Sequence, residues 1–136
     1  MTLRPATPAD LTNISAIQQA SPAASQWDPA SYLGHACTVV EEAGGVIGFL
    51  ACRQTGPGER EILNLAIHPS CRRRGLARKV LNLMLAAGRG QCFLEVRASN
   101  IAAIRLYESV GFRQAGRREN YYSNPPEPAI VMQWDS

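Results

Sequence analysis

Leu11, Ile14 and Ile17 recur at intervals of three behind Thr7-Pro8-Ala9-Asp10, which offers a capping hydroxyl, a first-turn proline and an early carboxylate. The spacing predicts an amphipathic helix over residues 8–20. Residues 21–29, rich in Pro, Ser and Ala, read as a loop pinned by Trp27, and a short helical turn is expected over 28–34. The runs 37–41 and 46–53 are strand-like, and Gly44-Gly45 between them signals a hairpin. A second hairpin runs through Gly56-Pro57-Gly58 into a strand over 59–67, which Pro69 ends because it cannot donate to a ladder. Leu76, Val80, Leu83 and Met84 form one stripe of a helix over 75–87 closed by Gly88. A strand over 92–98, a helix over 101–110 stopped by Gly111, and a closing strand pair over 112–122 and 129–133 complete the pattern. The order β-α-α-β-β-β-α-β-α-β-β gives an α/β (α+β) fold, a mixed sheet with helices on its faces.

At 136 residues the chain fits a single domain, 1–136, large enough to bury a substantial core. With 46% hydrophobic and 18% charged residues it is ordinary globular material, and no apolar run approaches the roughly 20 residues that span a bilayer. The opening MTLRPATPADL lacks the apolar core of a secretory signal, so cytoplasmic residence and no membrane partner are expected. Net charge is only +3, yet residues 62–94 contain no Asp or Glu while carrying Arg72, Arg73, Arg74, Arg78, Lys79 and Arg89. Such local charge suits an anionic ligand held at one place, or a solvated basic face. A general nucleic-acid binder would show interleaved aromatics and more charge overall, and direct nucleic-acid binding is not expected. Cys37, Cys52, Cys71 and Cys92 are widely spaced and without neighbouring histidines, which points to reduced, buried thiols rather than a metal centre.

Two segments carry candidate chemistry. Arg72-Arg73-Arg74-Gly75-Leu76-Ala77 lies between a strand end and a helix start, where unpaired N–H groups and the helix dipole favour an anion. Gly75 lets backbone approach a phosphate, and small Ala77 keeps the first turn uncrowded. In the second segment, alternation places Phe93, Glu95 and Arg97 on one strand face, so that Glu95 interrupts an apolar run. It is either paired, with Arg97 or Arg53, or placed for chemistry. Asn100 is a natural N-cap for the next helix, and Tyr107, seven residues on, shares its face; a half-buried core tyrosine is the alternative reading.

These segments, with Leu63-Asn64-Leu65-Ala66-Ile67-His68-Pro69 between them, resemble the GCN5-related N-acetyltransferase (GNAT) superfamily. LEVRASNIAAIRLYESVGF followed by RRENYY resembles its ribosomal-protein alanine N-acetyltransferases of the RimI type. The resemblance implies a mostly antiparallel central sheet with splayed middle strands and helices on both faces. It implies acetyl-CoA as acetyl donor and no metal. Leu65, Ala66 and Ile67 would pair with the pantetheine arm; Arg72, Arg73, Arg74, Gly75, Leu76, Ala77 and Arg78 would hold the pyrophosphate; Asn100 would also touch the cofactor. Glu95 would be the general base and Tyr107 the general acid. The acceptor would be a protein N-terminal amine, for example that of a ribosomal protein beginning with alanine, and the chain a monomer or weak dimer. Acetylation of a small amine or a lysine, or a non-catalytic CoA-binding module, are the alternatives. Cys71 as a nucleophile lacks an evident histidine to activate it. The segment from Arg78 to Cys92 is shorter than is usual in the family, which shortens a helix or the loop after it.

Overall fold

The sheet begins from tight turns that the chain closes with residues of positive φ, Ala43 (53°) and Gly44 (81°) in the first hairpin and Gly58 (67°) in the second. Two central residues of positive φ match the right-handed twist of the strands they join. The computed structural model describes residues 1–21, 27–72, 75–123 and 125–136. Its strands are β1 (Thr2–Pro5), β2 (Ala36–Glu42), β3 (Gly45–Gly56), β4 (Glu59–Ile67), β5 (Gln91–Arg97), β6 (Arg113–Tyr122) and β7 (Glu127–Asp135). The helices are α1 (Leu11–Gln19), α2 (Leu76–Ala86) and α3 (Ile101–Ser109), with 3-10 turns at Pro8–Asp10, Pro29–Gly34 and Pro69–Cys71. The first helix therefore opens as a 3-10 turn, and the element order is the expected one.

The seven strands form one mixed sheet in the order β1-β2-β3-β4-β5-β7-β6, antiparallel except where β4 meets β5. Each face has its own core. Ile14, Ile17 and Tyr32 pack with Val39, Phe49, Ala51, Leu63 and Ala66 on one face. Leu76, Val80, Leu81 and Leu85 of α2 and Ile104 and Tyr107 of α3 pack with Leu50, Ile62, Ile67, Leu94 and Val96 on the other. One position departs from the expected stripe. Leu83 is 52% exposed, whereas Leu81 and Leu85 are buried in the core that α2 shares with α3 and the sheet. Among the described residues no helix is long and apolar enough to cross a membrane.

The feature that matters for function is a failure of pairing. β4 and β5 pair only at Glu59–Gln91, Arg60–Cys92 and Glu61–Phe93, although β4 continues to Ile67 and β5 to Arg97. At that point β4 carries a bulge: Cys52 faces Ile62 and Ala51 faces Asn64, so Leu63 is an extra residue. Leu63 and Asn64 consequently both address the α1 face, Leu63 in its core and Asn64 bonded to Gln18. A bulge bends its strand and increases its twist, and here it turns β4 away from β5. The sheet is open between the two strands from Ile62 and Leu94 onward.

Candidate active site

The β4 side of this opening is a strand edge. His68 N–H donates to the Ile47 carbonyl at 2.7 Å, so the strand's alternation directs the peptide groups of Ala66 to β3 as well, and those of Leu65 and Ile67 to the gap. Of the three backbone positions expected to meet a ligand, Leu65 and Ile67 present peptide groups and Ala66 does not. Beyond β4 the chain reaches Gly75, which caps α2 at φ 71°, a left-handed conformation that costs other L-residues about 1–2 kcal/mol. A Cβ at Gly75 would meet nothing within 4 Å, so conformation rather than crowding requires glycine, and the space above the helix start is open. Lys79 N–H bonds to the Gly75 carbonyl at 3.1 Å, the first bond of a helix whose preceding N–H groups have no partner within it. Arg73 and Arg74 lie outside the described residues. Arg72 borders the cleft, but its guanidinium is engaged by protein: Nε donates to the Ile67 carbonyl at 3.2 Å and Nη2 to Ser21 Oγ at 2.7 Å.

The opposite wall is β5 and α3. Burial alternates along β5, with Cys92, Leu94 and Val96 in the α2/α3 core, which leaves Phe93, Glu95 and Arg97 on the α1 face. The partner of Glu95 is neither Arg97 nor Arg53. Arg53 pairs with Glu61 at 2.7 Å, and Arg97 lies 3.8 Å from Glu127 and stacks over the Tyr122 ring. Glu95 instead meets Arg118 at 3.3 Å, reaching across β7, where its neighbour Val131 is faced by Gly116 of β6, which has no side chain to intervene. Tyr121 completes the group, its phenol pushed up by a hydrogen bond to Glu95 and by burial. Asn100 caps α3 as expected, its Oδ1 accepting from Ala103 N–H at 3.2 Å. Tyr107 is 8% exposed, edge-on to Phe112 at 5.5 Å, and burial pushes its phenol above the ordinary value. Among the described residues no protein group bonds its hydroxyl.

One cleft of about 770 Å³ is bordered by Leu65, Ala66, Ile67, Arg72, Gly75, Leu76, Ala77, Arg78, Glu95, Asn100 and Tyr107. It passes through the sheet. The α2 N-terminus, Asn100 and Tyr107 lie on one face and Glu95 on the other. The sequence reading omitted Ser21, Asn64, Arg118, Tyr121 and Tyr122. Only the alternation along β6 hinted at Arg118, whose side falls with Gly116. Cys71 borders the cleft, with His68 Nδ1 2.7 Å from Ser70 Oγ and Ser70 Oγ 3.6 Å from the sulfur, all within one short turn. The other three thiols are buried, which pushes Cys37 and Cys92 up to about 11 and Cys52 to about 12. Among the described residues no three His, Cys, Asp or Glu side chains gather as a metal site would require.

Residues 8–112 match the model of the acetyltransferase (GNAT) family. A [ribosomal protein bS18]-alanine N-acetyltransferase from Haemophilus ducreyi is 41% identical over 98 residues, 67% of each chain. The chain spans about two thirds of the length of such curated relatives, 64% for the Escherichia coli K12 protein of the same name. The crystal structure of the ribosomal-protein-S18-alanine N-acetyltransferase from Escherichia coli superposes with a TM-score of 0.83 at 29% identity, covering 98% of this chain and 92% of that one. A GNAT family acetyltransferase from Elizabethkingia anophelis with acetyl-CoA bound shares the fold, with a TM-score of 0.77 at 20% identity over 99% and 97% of the two chains. With a family match across most of its length and a sheet opened between β4 and β5, the chain belongs to the GNAT acetyltransferase family.

Proposed function

We propose that this protein transfers the acetyl group of acetyl-CoA to the N-terminal α-amino group of a protein, with a ribosomal protein beginning with alanine as the acceptor class. The observation that carries the reading is the division of the cleft between the two faces of the sheet. The α2 N-terminus, where an anion would be favoured, lies towards one face and a carboxylate on the other, with the unpaired edge of β4 between them. A donor entering from the first and an amine from the second meet at the gap. The names of the bS18-alanine N-acetyltransferase relatives support the acceptor class.

The residues present suit acetyl-CoA. Amides of Gly75 to Arg78 would hold its diphosphate, and the Leu65 peptide groups would bond its pantetheine arm as an added strand would. Bound there, it supplies an activated thioester acetyl. The chain's own part is to move protons and steady charge. Glu95, through water, takes the proton of the incoming ammonium, and the neutral amine attacks the carbonyl directly. An α-amino group with a pKa near 8 releases its proton about 3 kcal/mol more cheaply than a lysine near 10.4, which matches a carboxylate base to an N-terminus. The Ile67 N–H, facing the gap, steadies the developing oxyanion. Tyr107 gives its proton to the departing thiolate and is restored, through solvent, by the second proton that the nitrogen sheds as the amide forms. Burial has raised its phenol, but a thiolate released against the same apolar walls is raised too, so the transfer stays feasible.

Incubation of alanyl peptides with acetyl-CoA, followed by fragmentation mass spectrometry, tests the reading. Acetyl on the α-amine and not on an internal lysine is expected. Acetyl on lysine or a small amine alone would overturn the acceptor class, and CoA binding with no thiol release across a broad amine panel would overturn the activity.

A further inference from the structure

The arginine that opens the RxxGxA turn does not face the open space above α2. Its Nε is spent on the carbonyl of Ile67, the last residue of β4, at 3.2 Å, and its Nη2 on Ser21 Oγ at 2.7 Å. Ser21 is 4% exposed and follows α1 by two residues, on the sheet face that carries Glu95. A second polar tie joins the same two elements deeper in. Asn64 of β4 donates to Gln18 Oε1 and Tyr32 Oη, both at 3.1 Å, and Tyr32 Oη donates to Gln18 Oε1 at 2.7 Å. Gln18 in turn donates to the Trp27 carbonyl. Gln18, Tyr32 and Asn64 are 5%, 0% and 5% exposed, so these bonds form where water does not compete and an unmade one is costly.

We propose that Arg72 is a positioning residue for the acceptor amine and not a phosphate ligand: with Asn64 it fixes the end of α1, at Ser21, against the strand whose other edge receives the donor. Resting on the acetyl-transfer reading above, the proposal assigns acceptor binding to a residue of the phosphate-turn motif. Two features of the geometry support it. Arg72 bridges elements on the face of Glu95, where an amine would approach, and a planar guanidinium holding two acceptors in fixed directions is a strut that lysine cannot reproduce. Because Ser21 and Asn64 both border the cleft, movement of either changes the acceptor side without touching the α2 N-terminus.

The test is a double-mutant cycle with Arg72→Met and Ser21→Ala, read in separate donor and acceptor arms. The expected result is a rise of about tenfold in acceptor KM for each single variant, little further rise in the double, and CoA dissociation constants by calorimetry within about twofold of the parent, since coupled sites fail to add. Arg72→Lys should recover only part of the loss. A phosphate-ligand role predicts the reverse: Arg72→Met weakens CoA binding about tenfold or more, Ser21→Ala changes nothing, and the proposal falls. If Arg72→Met fails to fold, Ser21→Ala and Arg72→Lys still decide between the two. If the parent chain acetylates no peptide, the functional reading fails by itself, and the Trp27 indole and Ser21 amide resonances decide the strut. Shifts there on Arg72→Lys, with CoA affinity kept, uphold it; unmoved resonances overturn it.

Discussion

Gly48→Ala places a methyl group where two strands meet behind the cleft. Gly48 faces Ile67 across the β3–β4 ladder, and a Cβ there would lie 2.6 Å from Ile67 Cδ1 and 2.9 Å from the Ala66 carbonyl oxygen. The isoleucine tip can rotate away. The carbonyl cannot, since it belongs to the strand, so β4 must retreat at Ala66 and Ile67, the second of which presents its peptide groups to the gap. Overpacking of this kind costs about 1–3 kcal/mol, and the loss of unfolded-state freedom on replacing glycine returns about 0.4–1 kcal/mol. A net loss of about 1–2 kcal/mol follows, or a fall in Tm of roughly 4–8 °C for a domain of this size. Displacement of the proposed donor-binding edge by a fraction of an ångström should also lower turnover by roughly tenfold. Gly34→Ala is the control, with no atom within 4 Å of its Cβ and an expected change within about 0.5 kcal/mol. Urea unfolding and thiol-release kinetics on the three proteins read both effects. A Gly48→Ala protein as stable and as active as its parent would refute the idea that β3–β4 spacing sets this wall of the cleft.

Glu95→Gln should lower kcat by about 10²–10⁴-fold, with CoA affinity by calorimetry nearly unchanged; intact turnover would take Glu95 out of the chemistry. Tyr107→Phe should slow turnover about tenfold or more while leaving stability equal or slightly higher, because the hydroxyl removed has no described partner; unchanged kcat would make Tyr107 a packing residue. Away from the cleft, Asp10 is held at about 2, first by its hydrogen bond from Arg4 and then by the Thr7 N–H. A carboxyl depressed on folding contributes stability that is complete above its unfolded value near 4 and is lost as pH falls towards 2, so Asp10→Asn should flatten the acid limb of stability against pH. An unchanged acid limb would show that the Arg4–Asp10 pair does not govern it.

Local signals were legible where the residue itself decides the structure. Gly44 helps close a hairpin, although its partner in the turn is Ala43 and Gly45 already belongs to β3; Asn100 caps α3, and Pro69 follows the end of β4, each through its own backbone or side-chain chemistry. The bulge at Leu63 left no such mark, because an extra residue is defined only against the register of β3. An ion pair of Glu95 with Arg97 or Arg53, one of the two readings its place in the strand allows, does not form, for a related reason. Arg97 and Arg53 are near in sequence pattern, but Arg118 reaches Glu95 by crossing β7 from β6, a neighbour that only the sheet order supplies. Arg72 reads as a phosphate contact from its motif, yet its hydrogen bonds run to residues 67 and 21, and the second lies 51 positions away. Leu83 fits the helical period and is still exposed, since period fixes which residues share a stripe and packing fixes which stripe is covered.

Titration of CoA into the ¹⁵N-labelled chain, followed amide by amide, tests most directly whether the gap between β4 and β5 is where the donor sits. Saturable shifts at Leu65 and Ile67, together with Leu76, Ala77 and Arg78 at the start of α2, are the predicted result. Binding that leaves these five amides unmoved, or no binding at all by a well-folded protein, would contradict it.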